Sequence, residues 1–331
     1  MKNLSDMVDE MDRTNDEREF RQLREGLEPQ IIESHDPVLL WRLGQIYRYR
    51  KIWQDAERIL HEAIKWGPST PEPYRDLGLL YIQRDDLPSE ICLQHAKEIL
   101  EKGARVDKLG NDPSPVTHTL LGKVLESLND AKGAESELRK ALAIDLYYEE
   151  AQYNLAMLLD DSHREEKLTL LRQSISEDPE YFIALRELGF ELVKAKQLDE
   201  AESYLAKALN LDPEDVSLRW YLGQLNWMRK DLQSAEPHFK RAVELDPGDG
   251  VSHQLLGRFY QYHDRAEEAN RELFSAMELD PSNDSSFSAY LKFLKEFKNR
   301  DFAEKLFRAA RQNTTLPHRR LLELKNKLSS R

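Results

Sequence analysis

Four Asp-Pro pairs recur 34 residues apart, at Pro179, Pro213, Pro247 and Pro281. Three Leu-Gly pairs keep the same step, at Leu188-Gly189, Leu222-Gly223 and Leu256-Gly257. Alanine repeats it twice over, as Ala201, Ala235, Ala269 and Ala303 and as Ala208, Ala242, Ala276 and Ala310. A fixed period of this size means one small supersecondary unit copied along the chain. Such a unit cannot bury its apolar face alone, so neighbours must stack and the core grows in one dimension. A chain built this way is expected to bind along an extended surface rather than to do chemistry in one pocket.

Within a unit the signature residues fall at positions 7, 8, 11, 20, 24, 27 and 32, which in one copy are Leu188, Gly189, Leu192, Ala201, Leu205, Ala208 and Pro213. Spacings of three and four place each set on one helical face. Glycine or alanine at positions 8, 20 and 27 lets two helices approach closely, and the larger residues fill the space between them. The polar stretch near positions 15–18, such as Lys196-Gln197-Leu198-Asp199, is the expected turn between a helix A and a helix B. Proline at position 32 cannot continue helix B and disfavours helix in the residue before it.

This pattern resembles the tetratricopeptide repeat, W-x2-L-G-x2-Y followed by A-x3-F, A and P. The resemblance covers about residues 37–315 and implies an all-α, right-handed α-α superhelix of about eight helix-turn-helix units with terminal capping helices. The units are placed at 37–70, 71–110, 115–148, 149–181, 182–215, 216–249, 250–283 and 284–315. The first is clear in Leu43-Gly44, Tyr47, Ala56, Leu60, Ala63 and Pro68, and units five to seven follow the pattern most closely. Extra residues fall in the second unit around Arg84–Glu90 and near Lys108–Pro113. The third unit ends on Leu146 in place of proline, so its helix B is expected to run on there. Residues 1–36 read as an acidic end with residues 1–15 mobile and a cap over 16–34; residues 316–331 read as a basic capping helix. With no Gly-, Ser- or Pro-rich linker, one continuous stack is expected.

Composition agrees with an elongated body: 33% of the 331 residues are charged and 40% hydrophobic. No apolar run reaches the roughly 18 residues of a membrane span, and the acidic N-terminus lacks the apolar core of a secretory signal. A single cysteine, Cys92, excludes an internal disulfide framework and suits a reducing compartment, so a cytoplasmic protein is expected. The net charge of −13 is uneven, with eleven Asp/Glu against five Lys/Arg in residues 1–36 and twelve Lys/Arg against four Asp/Glu in residues 287–331.

Nothing points to catalysis. The nine histidines include no H-E-x-x-H motif, and Cys92 with His95 is a lone pair where structural zinc wants four ligands. No phosphate-cradling or nucleophile-elbow glycine motif occurs. No catalytic residue, metal or cofactor is therefore expected, and no small-molecule substrate.

The resemblance implies that helix A of each unit lines a concave groove through positions 2, 5, 6, 9, 12 and 13. In the first units this selects Trp41, Arg42, Arg48 and Arg75, and in the fourth Tyr153 and Asn154. Further on it selects Arg186, Phe190, Trp220, Gln224, Trp227, Arg258 and Tyr262, together with Gln254 and Lys292. Trp220 and Trp227 are two helical turns apart and share a face; they either pack between neighbouring A helices or anchor a ligand. Large aromatics and arginine dominate hot spots at protein interfaces. The lysine–asparagine clamp with which some family members hold chaperone tails is absent, because no lysine stands at position 5 of any unit. The expected function is a non-enzymatic scaffold or adaptor that binds an extended peptide or helical segment of a protein partner and supports assembly of a complex. Two other readings stay open: binding of nucleic acid or an acidic surface by the basic C-terminal end, and head-to-tail self-association of the two ends.

Overall fold

The computed structural model describes residues 3–109, 113–281, 283–296, 304–305, 307–308 and 318–329, and all their regular structure is helical. The chain divides into two compact units, Met1–Pro179 and Glu180–Arg331. The division follows the fourth repeat.

In the N-terminal unit, α1 (Leu4–Arg13) and α2 (Glu17–Ser34) precede four hairpins. These are α3 (Pro37–Tyr49) with α4 (Trp53–Trp66), α5 (Glu72–Gln83) with α6 (Ser89–Leu109), α7 (Pro115–Ser127) with α8 (Ala131–Ile144), and α9 (Glu149–Leu158) with α10 (Arg164–Glu177). The C-terminal unit holds α11 (Phe182–Lys194) with α12 (Leu198–Leu211), α13 (Val216–Met228) with α14 (Leu232–Leu245), α15 (Gly250–Tyr262) with α16 (Ala266–Leu279), then α17 (Asp284–Glu296) and α18 (His318–Ser329). The second helix of the eighth repeat, with Ala303 and Ala310, lies outside the described residues apart from a few positions such as the buried Phe307. Within each unit, each helix A touches the next helix A, and a helix B packs on its own helix A and on any helix A that follows it in that unit. Contact between A helices puts them on the inner side of each stack.

The hairpin closes where the period places small residues. A Cβ on Gly44, Gly78, Gly122, Gly189, Gly223 or Gly257 would come within 2.4–2.8 Å of the position-24 side chain of its own unit, a leucine in five cases and Phe239 in the sixth. In five of the repeats helix A then ends on a left-handed residue at position 15: Lys51, Asn129, Lys196, Lys230 and Asp264 have φ between 56° and 63°. The following N–H reaches back five residues, as Gln197 N to the Leu192 carbonyl at 2.9 Å and Asp231 N to Asn226 at 2.9 Å. This is the Schellman closure, which satisfies carbonyls that a helix end leaves without partners. It also puts the turn earlier than position 18, since Leu198 and Asp199 already belong to helix B.

Two expectations are corrected. Residues 4–13 form α1, which fully buries Val8 and Met11; its apolar face has a wall to pack on, so the segment is not a mobile tail. Helix α8 does not run on past the missing proline. It stops at Ile144 with Asp145 extended, φ −134°, as α12 and α14 stop at Asp212 and Asp246, both with φ −136°. The stop comes from a recurring aspartate C-cap whose N–H still bonds the carbonyl four residues back, and proline only reinforces it. The second unit's longer turn sits at 84–88, between α5 and α6, and its other extra residues lengthen α6 to 21 residues.

A polar staple repeats at the joints. The side chain at position 4 reaches the position-32 carbonyl of the preceding repeat: Tyr74 Oη to Pro68 at 3.2 Å, Gln152 Nε2 to Leu146 at 2.7 Å, Arg219 to Pro213 at 2.6 Å and His253 Nε2 to Pro247 at 3.2 Å. That carbonyl lies between two helices and has no helical donor. Tyr, Gln and Arg donate at any physiological pH. His253 also faces the Glu272 carboxylate of α16 through Nδ1, at 2.7 Å, so both ring nitrogens meet acceptors and only the imidazolium satisfies both. The bond to Glu272 and the nearby Asp249 and Pro247 raise its pKa above the ordinary histidine value, against the effect of burial. A raised folded-state pKa contributes stability that is complete below about 6.5 and lost as pH climbs through the folded value. The His253→Gln variant keeps a donor to Pro247, as Gln152 shows, but cannot titrate. Wild type is expected to exceed it by at most about 1 kcal/mol at pH 5.5, allowing for partial solvent access, and the difference should shrink toward pH 8.5. Urea unfolding of both proteins across that range checks this; a difference independent of pH removes the charged imidazole.

Candidate functional site

Side chains at the groove positions of the N-terminal unit are mostly spent inside the protein. Arg42 pairs with Asp9 of α1 and reaches Ser5 Oγ at 3.2 Å. Arg48 is buried and pairs with buried Asp76 of α5 at 3.0 Å. Asp76 also accepts from Trp41 Nε1 at 2.6 Å and Gln45 Nε2 at 2.8 Å. A single carboxylate thus ties three α3 side chains to the next repeat, which withdraws Trp41 and Arg48 from the groove. Arg75 lies against Glu72, Ser114 and Asp107 at 3.3, 3.5 and 3.7 Å. Tyr153 is half-buried, and Asn154 is buried and donates to the Glu150 carbonyl of its own helix at 2.7 Å.

In the C-terminal unit the groove candidates Arg186, Phe190, Trp220, Trp227, Arg258 and Tyr262 separate into two parts. Arg186 pairs with Asp215 at 2.8 Å and Glu187 at 3.0 Å. Burial works against its charge, yet those two carboxylates raise its pKa further above the arginine value. Phe190 stacks on Tyr221 with ring centres 4.3 Å apart and planes 18° apart. Trp220 Nε1 donates to buried Ser252 Oγ at 2.7 Å, which in turn donates to Asp249 at 2.5 Å. These three are joints between repeats.

The second part is open. Trp227, Arg258 and Tyr262 line a groove of about 430 Å³ formed by α13, α15 and α17, with Gln254, Gln261, Ser285, Ala289, Lys292 and Glu296. One edge of Trp227 is anchored, in edge-on contact with Phe239, Phe259 and Tyr262 at 6.1, 5.6 and 5.5 Å. It therefore serves both packing and groove. Tyr262 is 71% exposed and Arg258 is exposed. Gln224 is half-buried on α13 and is not among the lining residues. Gln261, Ser285, Ala289 and Glu296 were not singled out from sequence, although Ser285, Ala289, Lys292 and Glu296 share one face of α17 by their spacing of three and four.

A larger cavity of about 690 Å³ lies in the N-terminal unit between α6, α7 and α8, beneath the extra turns of α6. No groove residue lines it. Several of its polar groups satisfy one another: His118 bonds Glu137 at 2.7 Å, Lys140 bonds Glu137 at 2.6 Å, and Thr117 donates to Asp107. At the basic end, Arg320 pairs with Asp284 and Glu323 at 2.8 and 3.2 Å, Lys327 with Glu323 at 2.8 Å, and Arg308 with Glu304 at 3.1 Å. Arg311 and Arg331 lie outside the described residues. Among the described residues no group of His, Cys, Asp and Glu could hold a metal ion, and no helix is long and apolar enough to cross a membrane.

Residues 186–250 match the tetratricopeptide repeat family. A tetratricopeptide repeat protein of Parabacteroides merdae has a similar fold, with a TM-score of 0.59 at 18% identity over 80% of this chain and 100% of that one. Pseudomonas aeruginosa pilF gives a TM-score of 0.56 at 22% identity over 69% of this chain and 97% of that one. The BBSome complex member BBS4 homolog of Drosophila melanogaster is 24% identical over 186 residues, which are 55% of this chain and 36% of that protein, so the match spans about a third of the relative's length. The 34-residue period, the glycine-closed hairpins, the Schellman turns and these likenesses agree: the chain has a tetratricopeptide repeat fold, and its residues 186–250 match that family.

Proposed function

We propose that the chain is a non-enzymatic scaffold or adaptor that holds a segment of a partner protein in the groove of α13, α15 and α17 and so supports assembly of a complex. The repeat is a protein-interaction fold. The observation that carries the reading is the pairing of Tyr262, 71% exposed, with a half-buried Trp227 on one wall of a 430 Å³ groove. An exposed aromatic beside a rigid one offers apolar area at low entropic cost, and such residues supply most of the energy at protein interfaces. The Drosophila relative's name, a complex member, supports an assembly role. Action in the cytoplasm fits a chain whose one cysteine, Cys92, is buried and free.

The test uses Tyr262→Ala, since truncating Trp227 would disturb the core behind it. Affinity capture from lysate with quantitative mass spectrometry is expected to show a partner retained by wild type and lost about 30-fold by the variant, the effect of a 2 kcal/mol hot spot. An unchanged set of partners with a normally folded variant rejects the groove as the site.

A further inference from the structure

Most arginines at groove positions have carboxylate partners: Arg42 with Asp9, Arg48 with Asp76, Arg75 with Glu72, Arg186 with Asp215. Arg258 and Lys292 differ. Both are exposed, both line the same groove, and neither forms an ion pair within 4.0 Å among the described residues. They stand at the same place, position 9, in successive repeats, on A helices that touch each other. In a chain of net charge −13, two neighbouring cations without counter-charges are the one part of this groove that attracts an anion. Further along the same face, Gln261 donates to Glu296, which closes that end of the groove to a long run of negative charge.

Resting on the groove reading above, we infer that this site takes an extended acidic peptide segment carrying two carboxylates, one for Arg258 and one for Lys292, with an aromatic or aliphatic side chain beside Tyr262. The spacing follows from geometry. Packed helices lie about 8–10 Å apart, and an extended chain rises about 3.3 Å per residue. A segment crossing α15 and then α17 meets the two cations about three residues apart. Charge-assisted bonds of this kind are stronger than neutral ones, and the carboxylate of Glu296 disfavours a polyanion such as nucleic acid.

The test is a phage-displayed library of random 12-residue peptides selected on the full chain, followed by fluorescence anisotropy of the winning synthetic peptides. Enrichment of two acidic residues separated by two others, next to an aromatic or aliphatic residue, is expected. Amidating either acid (Asp→Asn or Glu→Gln) should weaken binding about tenfold, Arg258→Ala with Lys292→Ala should abolish the discrimination between acid and amide, and added salt should reduce affinity. Peptides that depend on Tyr262 but bind equally well as amides overturn the acidic inference and leave the groove standing. Selection of no Tyr262-dependent peptide overturns both. Equal competition by a single-stranded oligonucleotide means a general anion site and likewise rejects the peptide assignment.

Discussion

Phe239→Ala is expected to lower the stability of the C-terminal unit by about 3–5 kcal/mol, the range for losing a large buried aromatic. Phe239 is fully buried on α14, its ring lies over Gly223, and it meets Trp227 and Phe259 with ring centres 6.1 and 5.6 Å away. The other Leu-Gly hairpins place leucine at this position: Leu60, Leu100, Leu138, Leu205 and Leu273. Phe239→Leu should therefore cost much less, about 1 kcal/mol. The larger loss arises because the cavity left by alanine would open beside Trp227, whose edge-on contacts hold one groove wall. Urea unfolding followed by circular dichroism measures both variants. Equal effects from the two would mean that the ring is not packed as described. A secondary consequence follows at the groove: the alanine variant should bind partners less well than the leucine variant even at temperatures where both are folded.

Much of the fold could be read from the period, because one steric rule governs it. Glycine at position 8 and a large residue at 24 leave one way for two helices to close, and that pairing recurs from Gly44–Leu60 to Gly257–Leu273. The joints between repeats were harder. Tyr74, Gln152, Arg219 and His253 perform one task with four unrelated side chains, so no residue type marks the position. Helix α1 was missed for a related reason: its apolar residues are few and make sense only against the wall they cover. The groove was legible as a set of positions and not as a site. Arginine and tryptophan serve ligands and joints equally well, and the carboxylates that claim Arg48 and Arg186 lie in other elements, 28 and 29 residues on. Periodicity lists what faces inward; only the packed structure shows which inward-facing groups remain unpaired.

The buried knot around Asp76 makes the sharpest demand on the N-terminal unit. Arg48 and Asp76 have side chains only 3% and 7% exposed and lie 3.0 Å apart. Arg48 also donates to Gln83 at 2.8 Å, and Trp41 and Gln45 share the same carboxylate. Removing one partner of a buried pair leaves a charge with neither water nor counter-ion, at a cost of about 3–5 kcal/mol, although an intact buried pair often adds little net stability over apolar residues of the same shape. Arg48→Ala is therefore expected to destabilise this unit by that amount. An exposed pair such as Arg139–Glu166, with side chains 48% and 39% exposed, should cost under about 1 kcal/mol when broken. The double variant Arg48→Met with Asp76→Leu separates burial from charge. It removes the stranded carboxylate, so it should recover part of the loss, but Trp41 Nε1 and Gln45 then lack their acceptor, and full recovery is not expected. Denaturant midpoints of the three variants decide the matter. If Arg48→Ala behaves like the exposed pair, water reaches Asp76 and the first repeats are joined less tightly than these distances require; if the double variant exceeds wild type, the network contributes register between α3 and α5 rather than stability.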